Sequence, residues 1–276
     1  MFEELYEPLP DRGLYWEKLG MEPPEGELTR ELLDRIIYAH QCRIPFEDLD
    51  IYDNKLNVSL GMSDMFDKII RGHRGGFCFE LNALLQALLE ETGFQVTAVA
   101  GRSLKNPGYT FPITHRAMIV DLGGQRLFCD AGYGGPMPPC SLPMEDGCEV
   151  ASHGQTFRIE RAEQDPWWNV YYLGSTAALE AARAAGAPGR APEPVVGFMD
   201  APMSLVDFVP LAHYSCTSPL SSFTQKRMVN RRTEDGNVSI TADEFTRVTP
   251  AGKTTVKIED EARFRRILED EFDIII

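Results

Sequence analysis

The chain predicts an α+β fold, and three observations carry that expectation. Apolar residues recur at helical spacing through most of the chain up to Gly93. Beyond it come short strand-like runs punctuated by Gly, Pro, Asn and Asp. The last part mixes strands with a closing helix in which Phe264, Ile267 and Leu268 alternate with Arg263, Arg265 and Arg266.

The 276 residues suffice for one large domain or two to three smaller ones. Hydrophobic residues make up 43% and charged residues 25%, an ordinary globular composition that can bury a sizeable core. A net charge of −15 argues against nucleic-acid or anionic-membrane partners, which need clustered positive charge. No apolar run approaches the length of a membrane span. Met1-Phe2-Glu3-Glu4 lacks the basic start of a secretory leader. The six cysteines are irregularly spaced, with no C-x-x-C pair. The expectation is therefore a cytoplasmic protein with reduced thiols and no metal site.

In chain order, residues 11–20 predict a short helix with Asp11 as N-cap and Gly20 as stop. Residues 28–41 predict a stronger one, with Leu28, Leu32, Leu33, Ile36, Ile37 and His40 on one face. Pro45 in Ile44-Pro45-Phe46-Glu47-Asp48-Leu49 prevents its continuation. Ser63 or Asp64 is expected to cap a helix through Ile70, closed by Gly72. Leu81, Leu84, Leu85, Leu88 and Leu89 then define a helix that starts at Cys78 and stops before Gly93, apolar on one face.

Strands are expected at Gln95–Arg102, Arg116–Leu122, Gln125–Cys129, Gln155–Arg161 and Trp168–Leu173, with a turn at Asn106-Pro107-Gly108. Gly123-Gly124 fits a two-residue hairpin. Ser175–Ala185 predicts a short helix and Gly186–Pro194 a flexible linker. Strands at Asn237–Thr241 and Thr254–Ile258 and a helix at 259–272 complete the chain.

The chemistry centres on Arg74-Gly75-Gly76-Phe77-Cys78-Phe79-Glu80-Leu81-Asn82. A cysteine in the first turn of a helix meets free backbone N–H groups and the positive end of the dipole, a setting that favours a thiolate. Gly75 and Gly76 allow close backbone approach before it. A cysteine nucleophile also needs a base, and a third group to orient that base. His115 begins one predicted strand and Asp130 ends its hairpin partner. The start of one strand and the end of its antiparallel neighbour share a sheet edge, so the two side chains can meet.

Three of these segments, with Thr114-His115-Arg116 and Asp130-Ala131-Gly132-Tyr133-Gly134-Gly135 as the second and third, resemble the signature motifs of the arylamine N-acetyltransferases in order and spacing. Ile44–Leu49 resembles the family's I-P-F-E-N-L segment, and Thr217-Ser218-Pro219-Leu220-Ser221-Ser222-Phe223 its S-P-x-S-x-F segment. The resemblance implies a helical bundle carrying the cysteine (1–92), a β-barrel-like domain carrying His and Asp (93–200) and a mixed α/β lid (201–276), with a cysteine-protease-like Cys-His-Asp arrangement. An Ala/Gly/Pro-rich stretch near 175–200 looks longer than the usual connection.

It further implies a ping-pong transfer from acetyl-CoA, a co-substrate and not a resident cofactor, to an arylamine or hydrazine. Cys78 would be the nucleophile, His115 its partner and Asp130 the orienter. Phe46, Tyr133 and Phe223 would line the acceptor pocket, with Thr114, Gly134 and Gly135 near the CoA arm. An amide synthase acting on a carrier-bound acyl chain would use the same triad and is the alternative. The basic run Lys226-Arg227-Met228-Val229-Asn230-Arg231-Arg232 is read either as a solvated face or, with Arg71 and Arg74, as positive potential for the CoA phosphates.

Overall fold

The computed structural model describes residues 2–106 and 108–276. Met1 and Pro107 lie outside the described residues, and with them the first residue of the N-terminal stretch and the turn expected at Asn106-Pro107-Gly108.

The N-terminal part is helical, as its periodicity dictates. Helix α1 (Arg12–Leu19) opens on Asp11, whose carboxylate accepts from the Leu14 N–H, and closes on Gly20 at a φ of 67°. Helix α2 (Arg30–Arg43) starts where the Thr29 hydroxyl accepts from Leu32 N. The strand β1 (Phe46–Glu47) and the single turn α3 (Leu49–Tyr52) follow. Helix α4 (Met62–Phe66) runs into a π turn at Asp67–Arg71. Neither Ser63 nor Asp64 caps it: Gly61 takes that place, Ser63 donates to Glu7, and the Asp64 carboxylate accepts the Ser59 hydroxyl.

Helix α5 (Cys78–Thr92) ends on Gly93, at a φ of 110°. It is more enclosed than a one-faced apolar pattern suggests. Every residue from Gly75 to Gln86 is buried, including Glu80, Asn82 and Gln86. Elements on all sides cover it, and its buried polar side chains are spent on hydrogen bonds.

Eight strands form one antiparallel sheet: β2 (Gln95–Ser103), β3 (His115–Leu122), β4 (Gln125–Cys129), β5 (Leu142–Pro143), β6 (Cys148–Ser152), β7 (Gln155–Arg161), β8 (Trp167–Ser175) and β9 (Glu193–Met199). Their order is β5-β4-β3-β2-β9-β8-β7-β6. The outermost strands approach each other, so the sheet nearly closes into a barrel. The Gly123-Gly124 hairpin forms as expected, with φ of 61° and 87° and Leu122 opposite Gln125.

Helix α6 (Thr176–Ala184) precedes β9. The linker expected at Gly186–Pro194 therefore ends early, with residues 184–192 exposed and β9 lying between β2 and β8. Its apolar run Val195, Val196 and Phe198 is buried in the sheet, a signal that the neighbouring Ala, Gly and Pro residues mask.

After helix α7 (Phe208–Thr217), the strands β10 (Met228–Thr233), β11 (Gly236–Thr241), β12 (Glu244–Thr249) and β13 (Gly252–Lys257) form a second sheet in the order β1-β10-β11-β12-β13. Helix α8 (Glu261–Phe272) lays Phe264, Ile267, Leu268 and Phe272 on it and turns its arginines outward. Strand β1 pairs with β10 on one side and bridges to Gly76 on the other, which ties this sheet to the segment just before α5. The largest core draws on the helices, on one face of β2 and β3, and on Phe208, Ala212 and Cys216 of α7.

Candidate active site

Cys78 is the first residue of α5 and is 2% exposed. The Glu80 carboxylate reaches back to accept the Phe77 N–H, and Lys68 Nζ holds Glu80 at 3.0 Å. The turn before Cys78 has no room for a side chain: a Cβ on Gly75 would stand 2.2 Å from the Pro45 carbonyl oxygen. Sequence and packing thus agree on why glycine occupies that position.

The hairpin delivers its two residues to the same place. His115 Nε2 lies 2.7 Å from Asp130 Oδ2, and both side chains are buried. Asp130 sits one residue past the end of β4. The other ring nitrogen of His115 is left free on the side of Cys78, whose Sγ donates to the Thr114 carbonyl at 3.6 Å. Burial alone would lower the His115 pKa, but the Asp130 charge, its hydrogen bond and the contact with Cys78 push it up to about 10. The geometry thus favours an imidazolium between a carboxylate and a thiol.

One residue that the sequence reading left without a role organises this group. Asn82 Nδ2 donates to Asp130 Oδ1 and to the Arg116 carbonyl, and its Oδ1 accepts the Ala131 N–H at 2.9 Å. Asn82 stands four residues after Cys78, so it lies one turn below it on the same face. That spacing was the available signal. Gly132 N donates to Asp130 Oδ1 as well.

Gly132 also passes so close to α5 that a Cβ there would stand 2.9 Å from Cys78 Cα and 2.8 Å from Asn82 Nδ2. We expect Gly132→Ala to cost about 1–3 kcal/mol of stability through overpacking. It should also slow acylation of Cys78. Urea unfolding, together with the acylation rate of the folded fraction, checks both; an unchanged midpoint counts against the contact.

Above these residues opens a cleft of about 390 Å³ whose lining includes Phe46, Cys78, Thr114, His115, Tyr133, Gly134 and Phe223. Phe223 packs at 6.0 Å, centroid to centroid, from Phe46 and at 6.1 Å from Phe77. The Tyr133 hydroxyl donates to the Val195 carbonyl, which fixes its ring edge-on to that of His115 at 5.4 Å. Gly135 does not line the cleft, because the Lys105 side chain fills the space beside it. Asp130 lies beneath the cleft floor, 2% exposed.

The basic run is neither a solvated face nor, for the most part, a phosphate patch. It is β10. Arg232 donates to Gln41 Oε1, Gln155 Oε1 and the Met137 carbonyl, and Arg227 pairs with Asp53 and Glu261. Arg74 is held by Glu47 and Asp50, and Arg71 by Asp67. Only Lys226 of these cations lines the cleft. Arg232→Gln is therefore expected to lower stability by about 1–3 kcal/mol, as buried acceptors lose a charged donor, and to leave the KM for acyl donor unchanged. A raised KM with an unshifted melting temperature would reverse that assignment.

Among the described residues, no helix is long and apolar enough to cross a membrane.

A profile described as N-acetyltransferase matches residues 29–276. The arylamine N-acetyltransferase / N-hydroxyarylamine O-acetyltransferase of Salmonella typhimurium is 31% identical over 169 residues, 57% of this chain and 59% of that enzyme. The arylamine N-acetyltransferase 2 of Mesocricetus auratus is 29% identical over 82% of this chain and 79% of its own. The structure of the arylamine N-acetyltransferase from Mycobacterium abscessus superposes with a TM-score of 0.84 at 25% identity, covering 96% of this chain and 90% of that one. With a matched profile from Thr29 to the last residue and relatives of one name over most of its length, the chain belongs to the arylamine N-acetyltransferase family.

Proposed function

We propose that this protein moves an acetyl group from acetyl-CoA to an arylamine or hydrazine through a thioester on Cys78. The observation that carries the reading is the buried line Cys78–His115–Asp130 at the floor of a cleft walled by aromatic rings. Cys78 Sγ attacks the thioester carbonyl, and the tetrahedral adduct expels CoA, which leaves as a thiol with the proton held by His115. The amine then attacks the new thioester. His115 takes the amine proton as the Cys78 thiolate departs, which restores the starting pair. Asp130 orients the ring and stabilises its charge throughout.

Phe46, Tyr133 and Phe223 serve the acceptor, supported by their place around the cleft, and Thr114 and Gly134 pass the CoA arm. Gly135 has a lesser part, since Lys105 stands beside it. We read the chain as three units, 1–92, 93–200 and 201–276. The two separate sheets support the second division, while the largest core runs across the first. All six cysteines are free thiols, which supports a reducing cytoplasm as the site of action.

A panel of arylamines and hydrazines with acetyl-CoA, following free CoA and correcting for hydrolysis, tests the reading. CoA release that depends on the amine supports it; hydrolysis alone, or no release, refutes it.

A further inference from the structure

Arg116 is a buried cation that the catalytic reading leaves unused. It follows His115 in β3, and successive strand residues face opposite sides, so it points away from the cleft that His115 lines. The residue is 4% exposed. A guanidinium carries five N–H donors. Among the described residues this one makes a single side-chain hydrogen bond, from Nη2 to Gln86 Oε1 at 2.7 Å, and has no carboxylate within ion-pair distance. Its Nε is buried with no partner. The Phe208 ring covers the group at 4.7 Å. Burial lowers its pKa to about 10, against the charges of Glu90 and Cys78, so it stays charged at neutral pH. A buried charge this short of partners is costly unless a ligand pairs it.

A pocket of about 140 Å³ opens onto this cation and shares no lining residue with the catalytic cleft. Leu5, Leu60, Met62 and Met65 give it apolar walls, and all four are buried. Gln86 completes no second contact there, because its Nε2 donates to Glu90 Oε1 at 2.8 Å. Two carboxylates, Glu7 and Glu90, also line the pocket, and both residues are exposed. Solvent and salt screen them, whereas the buried guanidinium is screened far less. A ligand that fits needs one negative charge for Arg116 and an apolar body for the walls. A second negative charge would meet Glu7 and Glu90.

We infer that this pocket is a second ligand site, which takes a short-chain monocarboxylate with its charged end on Arg116. The carboxylate accepts from guanidinium N–H groups that have no partner in the protein, and the alkyl chain lies along Leu60, Met62 and Met65. The inference goes beyond the acetyl-transfer reading and does not depend on it, since it concerns binding on the other side of β3 and needs no turnover.

Butyrate is the probe, titrated calorimetrically into the intact protein in chloride-free buffer. A dissociation constant on the order of 1 mM is expected. Butyramide keeps the shape, loses the charge and should bind about tenfold more weakly. Acetate, two methylenes shorter, should also lose about tenfold. Succinate matches the length but adds a carboxylate, and should bind less well than butyrate. Arg116→Met removes the cation and keeps an apolar chain. It is expected to fold, since an apolar replacement for a buried charge is often neutral or stabilising, and to lose the preference for butyrate over butyramide. Ala87→Leu keeps Arg116 but fills the pocket from α5, and should abolish binding.

No saturable binding of butyrate, or equal affinity for butyrate and butyramide, overturns the inference. An unchanged preference in folded Arg116→Met or in Ala87→Leu does the same. The catalytic cleft is the other place where a carboxylate can settle, so the titration is repeated after iodoacetamide has alkylated Cys78. Binding that survives alkylation supports the pocket. Binding lost on alkylation but kept in Arg116→Met puts the anion in the cleft and overturns the inference.

Discussion

Incubated with acetyl-CoA and no amine, the protein is expected to gain one acetyl group, on Cys78, and Cys78→Ala is expected to gain none. The reason is selectivity among six thiols. Burial pushes the other five upward: Cys140 and Cys216 to about 11, and Cys42, Cys129 and Cys148 in the same direction. None of them faces an imidazolium. Cys78 does, and it also has the first N–H groups of α5 around it. Loss of a nucleophile that acts as one unit with its base costs on the order of 10⁶ in a serine enzyme. The loss of transfer activity in Cys78→Ala should be of that order, with folding intact because the replacement is small and apolar. Peptide mass mapping after a short incubation reads the label. Acetyl on any other cysteine, or iodoacetamide at mildly acidic pH modifying another thiol as fast as Cys78, would sink the mechanism.

The parts of this site that were legible in the sequence are the local ones. Gly75, Gly76 and the leucine period after Cys78 place a thiol at a helix start. Gly123-Gly124 closes a hairpin, and the hairpin puts His115 beside Asp130 by register alone. What stayed hidden depends on partners far along the chain. Strand β1 is two residues long and joins a sheet because β10, some 180 positions later, pairs with it, as Asp48 Oδ1 accepting Met228 N also shows. Arg232 reads as a surface charge until Gln41, Gln155 and Met137 come round it. Strand β9 lies next to a composition that favours a linker, and burial between β2 and β8 overrides that preference.

Asp130→Asn is expected to slow acetylation of Cys78 by about 10²–10⁴-fold while leaving the protein folded. In serine enzymes the corresponding change costs about 10⁴, and a thiol depends on its orienter somewhat less because it ionises more readily. The structure says why no rotamer of the amide works. Asp130 accepts on both oxygens: Oδ1 from Asn82 Nδ2 and Gly132 N, Oδ2 from His115 Nε2. If the new amide turns its NH₂ toward His115, Nε2 must be bare, and the proton goes to the nitrogen that faces Cys78. That tautomer cannot take the thiol's proton. If it turns its oxygen toward His115, its NH₂ meets two buried donors, and unpaired donors cost about 1–3 kcal/mol each way. The charge disappears in either case, and burial then acts on His115 with only Cys78 to oppose it. With its pKa raised to about 10, His115 contributes folding stability that is complete below its unfolded value of about 6.5 and is lost as pH rises through 10. In Asp130→Asn that contribution should be missing at neutral pH, and the alkaline limit of the acetylation rate should move down. Were Asp130 only the turn residue before Gly132, Asn would serve as well there. Stopped-flow acetylation across pH then separates the two: an unchanged rate and an unchanged alkaline limit leave Asp130 a turn former.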